Sequence, residues 1–346
     1  MVIEQVDVSV KEQRADERRL RVFSGIQPSG AVHIGNYLGA IRNWVAQQAL
    51  YDNVFCIVNL HALTLPTVPE TLHAETINMT NTVLAAGIDP EQSILFAQSD
   101  VREHAELCWM LSSVTQYGEL RRMTQFKDKA GDNAESVSGA LFIYPILMAA
   151  DILLYDTDLV PVGDDQRQHI ELTRDVAQRF NTRYGDTFVV PQADIKEIGA
   201  RVMRLDEPAK KMSKSEGSPN SRIDLTDEPD VIRRKIKRAV TDSGTEVRGG
   251  PDKPALTNLL GLYALFTGLS IPEIEARYDG KGYGAFKQDL GDVVVEGLAP
   301  IQARLAELNA QPEIAVRVLA EGAERARTLA AAKMDVVRER MGLALD

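Results

Sequence analysis

A short apolar run, Leu20, Val22 and Phe23, opens the first regular pattern in the chain and breaks into a turn rich in Gly, Pro and Ser. Helical periodicity starts at His33-Ile34-Gly35-Asn36, and from 36 to 50 it places Tyr37, Ile41, Trp44 and Val45 on one face. Val54 to Val58 is a second apolar run of strand length, ending in Asn59-Leu60-His61-Ala62. Residues 70 to 87 read as a helix stopped by Gly87 and Pro90, Ser93 to Ala97 as a third strand, and 102 to 116 as another helix. Strands that are apolar throughout, alternating with helices, predict a doubly wound parallel sheet covered on both faces. Ligands of such sheets lie beyond the C-terminal strand ends, so Gly25 to Ser29 and Asn59 to His61 should border one crevice.

Further along, 119 to 138 is basic and polar, the pattern of a loop or lid. Leu141 to Tyr155 reads as an apolar helix interrupted by Asp151, and Leu159 to Val162 as a short strand leading into Gly163-Asp164-Asp165-Gln166 and a helix over about 165–182. Residues 205 to 222 form a polar loop with three lysines, after which the pattern is helical, closing with a helix at 313–341. The expected organisation is a charged arm (1–19), an α/β domain (20–204), a mobile lysine loop (205–222), a smaller α-helical domain (223–312) and a C-terminal helix (313–346).

Composition narrows this picture. No apolar segment approaches the roughly 20 residues that span a bilayer, and nothing near the N-terminus has a signal peptide's apolar core, so a cytoplasmic protein with no membrane partner is expected. Cys56 and Cys108 sit in apolar contexts far apart in sequence and read as buried free thiols. A net charge of −11 argues against non-specific nucleic-acid affinity and against a DNA partner. It leaves room for an RNA met by a local basic segment such as Arg233-Arg234-Lys235 with Lys237-Arg238, which equally reads as a solvated helix face. Asp151 within its apolar helix is costly if buried unless something satisfies it; it reads as a helix–helix hydrogen bond, an exposed position or a ligand acceptor.

A strand that opens through glycines into a helix N-terminus is suited to phosphate, because backbone N–H groups and the helix dipole converge there. Alone this is a modest signal. The second element, Lys211-Met212-Ser213-Lys214-Ser215, lies about 180 residues away; its ammonium groups flank small hydroxyl residues, as expected of a loop that neutralises a leaving pyrophosphate.

The pair H-I-G-N and K-M-S-K-S resembles the two signatures of class I aminoacyl-tRNA synthetases. F-S-G-I-Q-P-S-G, M-T-Q-F-K, L-M-A-A-D-I-L-L-Y, P-V-G-D-D-Q and G-K-G-Y-G resemble the bacterial tryptophanyl branch, from about residue 21 to the end. The resemblance implies a Rossmann-like catalytic domain, ATP with Mg²⁺ held mainly by its phosphates, L-tryptophan and tRNA(Trp) as partners, and a homodimer. It implies catalytic roles for His33, Lys211, Ser213 and Lys214. ATP would lie against Gln27, Pro28, Ser29, Gly35, Asn36, Gly163, Asp164, Asp165 and Val202, with Lys129 as a further phosphate contact. Tryptophan would lie among Phe23, Gly25, Gln27, His61, Tyr144, Met148, Asp151, Val160, Val162 and Gln166, its indole N–H donated to Asp151. Asn59 and Asp164 stand where the family pattern has Asp and Glu, and Glu216-Gly217 after the lysine loop is atypical. Tyrosine specificity, or a synthetase-like binding protein with weak charging activity, are the alternatives.

Overall fold

The computed structural model describes residues 18–124, 138–194, 202–213 and 218–345. Five parallel strands, β1 (Arg21–Ile26), β2 (Asp52–Ile57), β3 (Ser93–Ala97), β4 (Leu159–Pro161) and β5 (Gln192–Asp194), form one sheet in the order β3-β2-β1-β4-β5. This is a doubly wound sheet whose winding reverses between β1 and β4, and ligands of such sheets lie beyond the C-terminal strand ends at that point. The strands are apolar because both faces are covered. Phe55, Ile57, Leu95 and Ala97 point into one cluster, while Phe23, Val54, Cys56, Ile94 and Phe96 point into the other. β5 is absent from the sequence prediction, since three polar or small edge residues carry no strand periodicity.

The first helix, α1, begins as Ile34–Asn36, passes through a π-helical turn at Tyr37–Ile41 and continues as Arg42–Gln47. It buries Ile34, Leu38, Ile41 and Trp44. α2 (Asn59–Ala62) is a single turn directly after β2, and α3 (Pro69–Ala85) ends before Gly87, whose φ of +111° suits glycine. α4 (Glu103–Ser112) is shorter than the predicted 102–116. The chain turns so that Gln116 can cap α5 (Tyr117–Arg122) in a capping box with Glu119. α6 (Gly139–Leu153) carries Asp151, and α7 (Arg167–Tyr184) follows β4 through a 3₁₀ turn at Asp164–Gln166.

The remainder is helical: α8 (Pro229–Arg238), α9 (Pro254–Thr267), α10 (Ile271–Arg277), α11 (Gly282–Asn309) and α12 (Pro312–Arg340). α8, α9 and α11 pack with α1 and α3 into the first cluster. α12 does something the sequence pattern conceals: Val318 and Leu319 enter the first cluster while Ala323, Ala326 and Ala330 enter the second. The helix therefore crosses the edge strand β3 and covers it, with Arg325 bonding the carbonyls of Pro90 and Ser93. Among the described residues no single helix is long and apolar enough to cross a membrane.

Candidate active site

The turn after β1 is tied into the fold at several points. Ser29 N–H bonds Gln27 C=O (2.9 Å), Gly30 N–H bonds Glu75 Oε1 (3.0 Å), and Gly30 adopts φ +58°. Pro28 is buried, with Gln27 and Ser29 exposed beside it. His33 then caps α1: its Nδ1 accepts from Asn36 N–H (3.3 Å), and Asn36 Oδ1 accepts from His33 N–H (3.4 Å). Because Nδ1 is an acceptor, the neutral ring carries its proton on Nε2, an assignment that follows from the hydrogen bond. The ring lies so close over the helix start that a Cβ on Gly35 would meet Nδ1 at 2.9 Å. Glycine is required here for close approach.

The same virtual Cβ lies 3.6 Å from Met212 Cβ, so the two signature segments meet at Gly35. Residues 202–213 form a hairpin-like return: Met212 N–H bonds Val202 C=O (2.9 Å), Arg204 N–H bonds Lys210 C=O (2.9 Å), and Met203 pairs with Lys211. Buried Met212 anchors this return while Lys211 stays exposed. The Oγ of Ser213 is buried and has no hydrogen-bond partner among the described residues. Main-chain bonds from Ile34 N–H to Ile223 C=O (2.9 Å) and from Leu225 N–H to Val32 C=O (2.8 Å) lock the segment after the lysines onto the histidine turn. Lys214 and Lys129 lie outside the described residues.

Across the switch point, Gly163 allows Asp165 to fold back, since a Cβ would meet Asp165 Oδ1 at 2.6 Å. Asp164 pairs with Arg167 (2.9 Å), and Gln166 donates to Asp165 (3.0 Å). This leaves an exposed polar rim between β1 and β4.

Behind the rim lies an apolar cluster. Phe23 stacks on Tyr155 (5.8 Å between ring centres), and Val160 is buried in the same cluster, with Met148 and Val162 half-buried against it. Gly25 approaches β2 so closely that a Cβ would stand 2.8 Å from Val58 Cγ1. Tyr144 bonds His169 Nε2 through its hydroxyl (2.8 Å) and meets the His61 ring edge-on; burial pushes its phenol up to about 12. On α6, Asp151 is buried yet well served. His61 Nε2 lies 2.8 Å from Oδ2, while His104 Nδ1 and Gln98 Nε2 each lie 2.7 Å from Oδ1. Burial pushes this carboxyl up, but the hydrogen bonds from His104 and His61 outweigh it and hold it below the usual carboxylate range. Gln98 and His104 carry no signal in the sequence that marks them for this role. Asn59, by contrast, exchanges hydrogen bonds with Ser99 (Nδ2 to Oγ 2.8 Å, Ser99 N–H to Oδ1 2.9 Å) and joins the ends of β2 and β3.

The basic segment is also rearranged. Lys235 is buried against Asp227 (2.5 Å) and Arg233 bonds Asp292 (2.7 Å), so Arg234, Lys237 and Arg238 remain as the exposed cations of α8 that no partner bond accounts for among the described residues.

The histidine-capped glycine turn and the lysine return thus meet beside the C-terminal end of β1 in a doubly wound sheet. The chain belongs to the class I tRNA synthetases of the tryptophan and tyrosine family, matching that family over residues 15–299. It is 54% identical to the tryptophan–tRNA ligase of Caldanaerobacter subterraneus subsp. tengcongensis, over 94% of this chain and 99% of the relative. The tryptophanyl-tRNA synthetase of Mycoplasma pneumoniae superposes with a TM-score of 0.86 at 34% identity, over 94% of this chain and 98% of that one. The Campylobacter jejuni enzyme, solved with ADP and tryptophan, gives 0.81 at 38% identity, over 94% and 100%.

Proposed function

We infer that the protein is a tryptophan–tRNA ligase. It activates L-tryptophan with ATP and then esterifies tRNA(Trp). In the first step a tryptophan carboxylate oxygen attacks the ATP α-phosphorus, the bond to the bridging oxygen breaks, and pyrophosphate leaves with tryptophanyl-adenylate formed. In the second, a hydroxyl of the tRNA 3′-terminal ribose displaces AMP. No covalent enzyme intermediate is involved; catalysis is positioning and charge stabilisation.

The nucleotide is assigned to the β1–β4 crevice, against Gln27, Pro28, Ser29, Gly35, Asn36, Gly163, Asp164, Asp165 and the backbone of Val202. His33 offers its Nε2 proton to phosphate, and Lys211 and Ser213 face the leaving pyrophosphate, with Lys214 and Lys129 assigned on sequence alone. The unsatisfied Ser213 Oγ supports a ligand oxygen there. Mg²⁺ is assigned to the ATP phosphates, where it adds positive charge.

The observation that carries tryptophan is Asp151, a buried ionised acceptor beside the apolar cluster around Phe23. Indole N–H can only donate, so it matches. Phenylalanine would leave the remaining lone pair of Oδ2 without a donor, a difference that in comparable sites reaches roughly 10⁴–10⁵ in selectivity. Phe23, Gly25, Met148, Val160 and Val162 enclose the rings, His61 lies beside the indole N–H through its bond to Asp151, Tyr144 and Gln166 face the α-amino group, and Gln27 completes the set. The helical part from 223 to 312 is assigned to tRNA contact. A homodimer is proposed on the exposed apolar surface of Trp109, Tyr117 and Ile143, on neighbouring helices α4, α5 and α6. The cytoplasm, where tRNA is charged, is the proposed location.

ATP–pyrophosphate exchange should depend on tryptophan and not on tyrosine or phenylalanine, and tryptophan should then be charged onto tRNA(Trp). Exchange driven equally by tyrosine would refute the assignment.

A further inference from the structure

Asp151 sits on α6, but none of its three partners does. His61 comes from the turn after β2, Gln98 from the 3₁₀ turn after β3, and His104 from α4. Their distribution over the two oxygens is unequal: Oδ1 receives both Gln98 and His104, Oδ2 receives His61 alone. An ionised carboxylate offers about four lone-pair sites. Among the described residues three are used, and the remaining one is on Oδ2.

We propose that Gln98 and His104 are positioning residues for substrate recognition: by holding Oδ1 they present Oδ2 of Asp151 to the indole N–H. This rests on the reading of Asp151 as the indole acceptor. The need for an anchor is physical, because the terminal torsion of an aspartate is broad and does not orient its oxygens by itself. His104 is in turn held by Tyr155, whose hydroxyl lies 2.7 Å from Nε2. With Asp151 ionised, Nδ1 must carry the proton, so in the neutral ring Nε2 accepts from the Tyr155 O–H and the tautomer is set. Tyr155 stacks on Phe23 of β1 and meets Phe96 of β3, which fixes the far end of the chain to the sheet. Gln98 is held as well, because its Oε1 accepts from Leu60 N–H (3.1 Å), next to His61. The acceptor is thereby registered to three strands.

The test compares tryptophan with β-(benzothiophen-3-yl)alanine, in which sulfur replaces the indole N–H, in pyrophosphate exchange by the full chain. The wild type should prefer tryptophan, and His104→Ala should lower the ratio of the two kcat/KM values about tenfold, the cost of a charge-assisted hydrogen bond. His104→Asn, which keeps a donor near the Nδ1 position, should restore most of the ratio and tests the donor in a fold closer to the wild type. If His104→Ala slows both substrates equally, or if Asn is as poor as Ala, His104 serves only packing and the proposal fails. If the wild type itself does not distinguish the two amino acids, the assignment of Asp151 fails first.

Discussion

Asp151 and Cys108 show how burial alone does not decide ionisation. Both are buried, and burial pushes both acids up. Asp151 has three donors and stays charged, whereas the Cys108 thiol, facing that charge, is pushed from 9.0 up to about 12. The sign of the consequence is definite. A thiol whose folded value is raised stabilises the fold fully below pH 9 and loses that contribution between pH 9 and 12. At pH 10 an unfolded thiol is mostly ionised, which costs the native state about 1.4 kcal/mol. Cys108→Ala lacks this penalty. Urea unfolding should therefore show the stability gap between wild type and variant shrinking by about that amount from pH 7 to pH 10; a constant gap would show that the thiol is not the titrating group. Asp151 was legible in the sequence because one carboxylate in an apolar helix stands out. Gln98 and His104 were not, since a glutamine after a strand and a histidine on a helix have many ordinary uses.

At the scale of elements, α12 depends on a single missing side chain. Where it passes β3, a Cβ on Gly322 would stand 1.8 Å from the Leu95 carbonyl oxygen and 2.6 Å from its carbon. Those are backbone atoms of a strand hydrogen-bonded to β2, so the helix must move instead. Gly322→Ala should cost about 1–3 kcal/mol or more, as overpacking does, and lower the thermal midpoint. Gly261 in α9 has nothing within 4 Å of its virtual Cβ, and Gly261→Ala should raise stability by about 0.5–1 kcal/mol through helix propensity. Equal responses to the two substitutions would overturn the crossing contact. Periodicity predicted α12 nearly to its ends, yet a glycine inside a helix reads locally only as a weakness; its reason lies more than 220 residues away in sequence. The π-helical turn in α1 and the end of α4 escaped for a related cause, because both depend on neighbouring caps and packing instead of the local pattern.

For the whole molecule, a parallel sheet covered on both faces was legible because strands buried on both sides must be apolar, whereas the strand order and the edge strand β5 were not. What the sequence could not supply was which charges survive folding as a surface. The chain carries −11 overall, and of the five cations clustered in α8 the structure neutralises Lys235 with Asp227 and Arg233 with Asp292. Arg234, Lys237 and Arg238 remain exposed. Cations left outward on an acidic protein cost repulsion little and attract polyanions strongly, through release of counterions from a phosphate backbone. If α8 faces the tRNA, replacing these three residues with alanine should raise the KM for tRNA in charging and flatten its dependence on salt, by up to about one unit of log–log slope for each phosphate that is no longer neutralised. Tryptophan-dependent pyrophosphate exchange should not change, because it needs no tRNA and the three side chains are not among those assigned to the adenylate site. A loss of exchange activity in step with charging would instead mean that α8 supports the fold of the catalytic part, and the surface would have to be sought elsewhere.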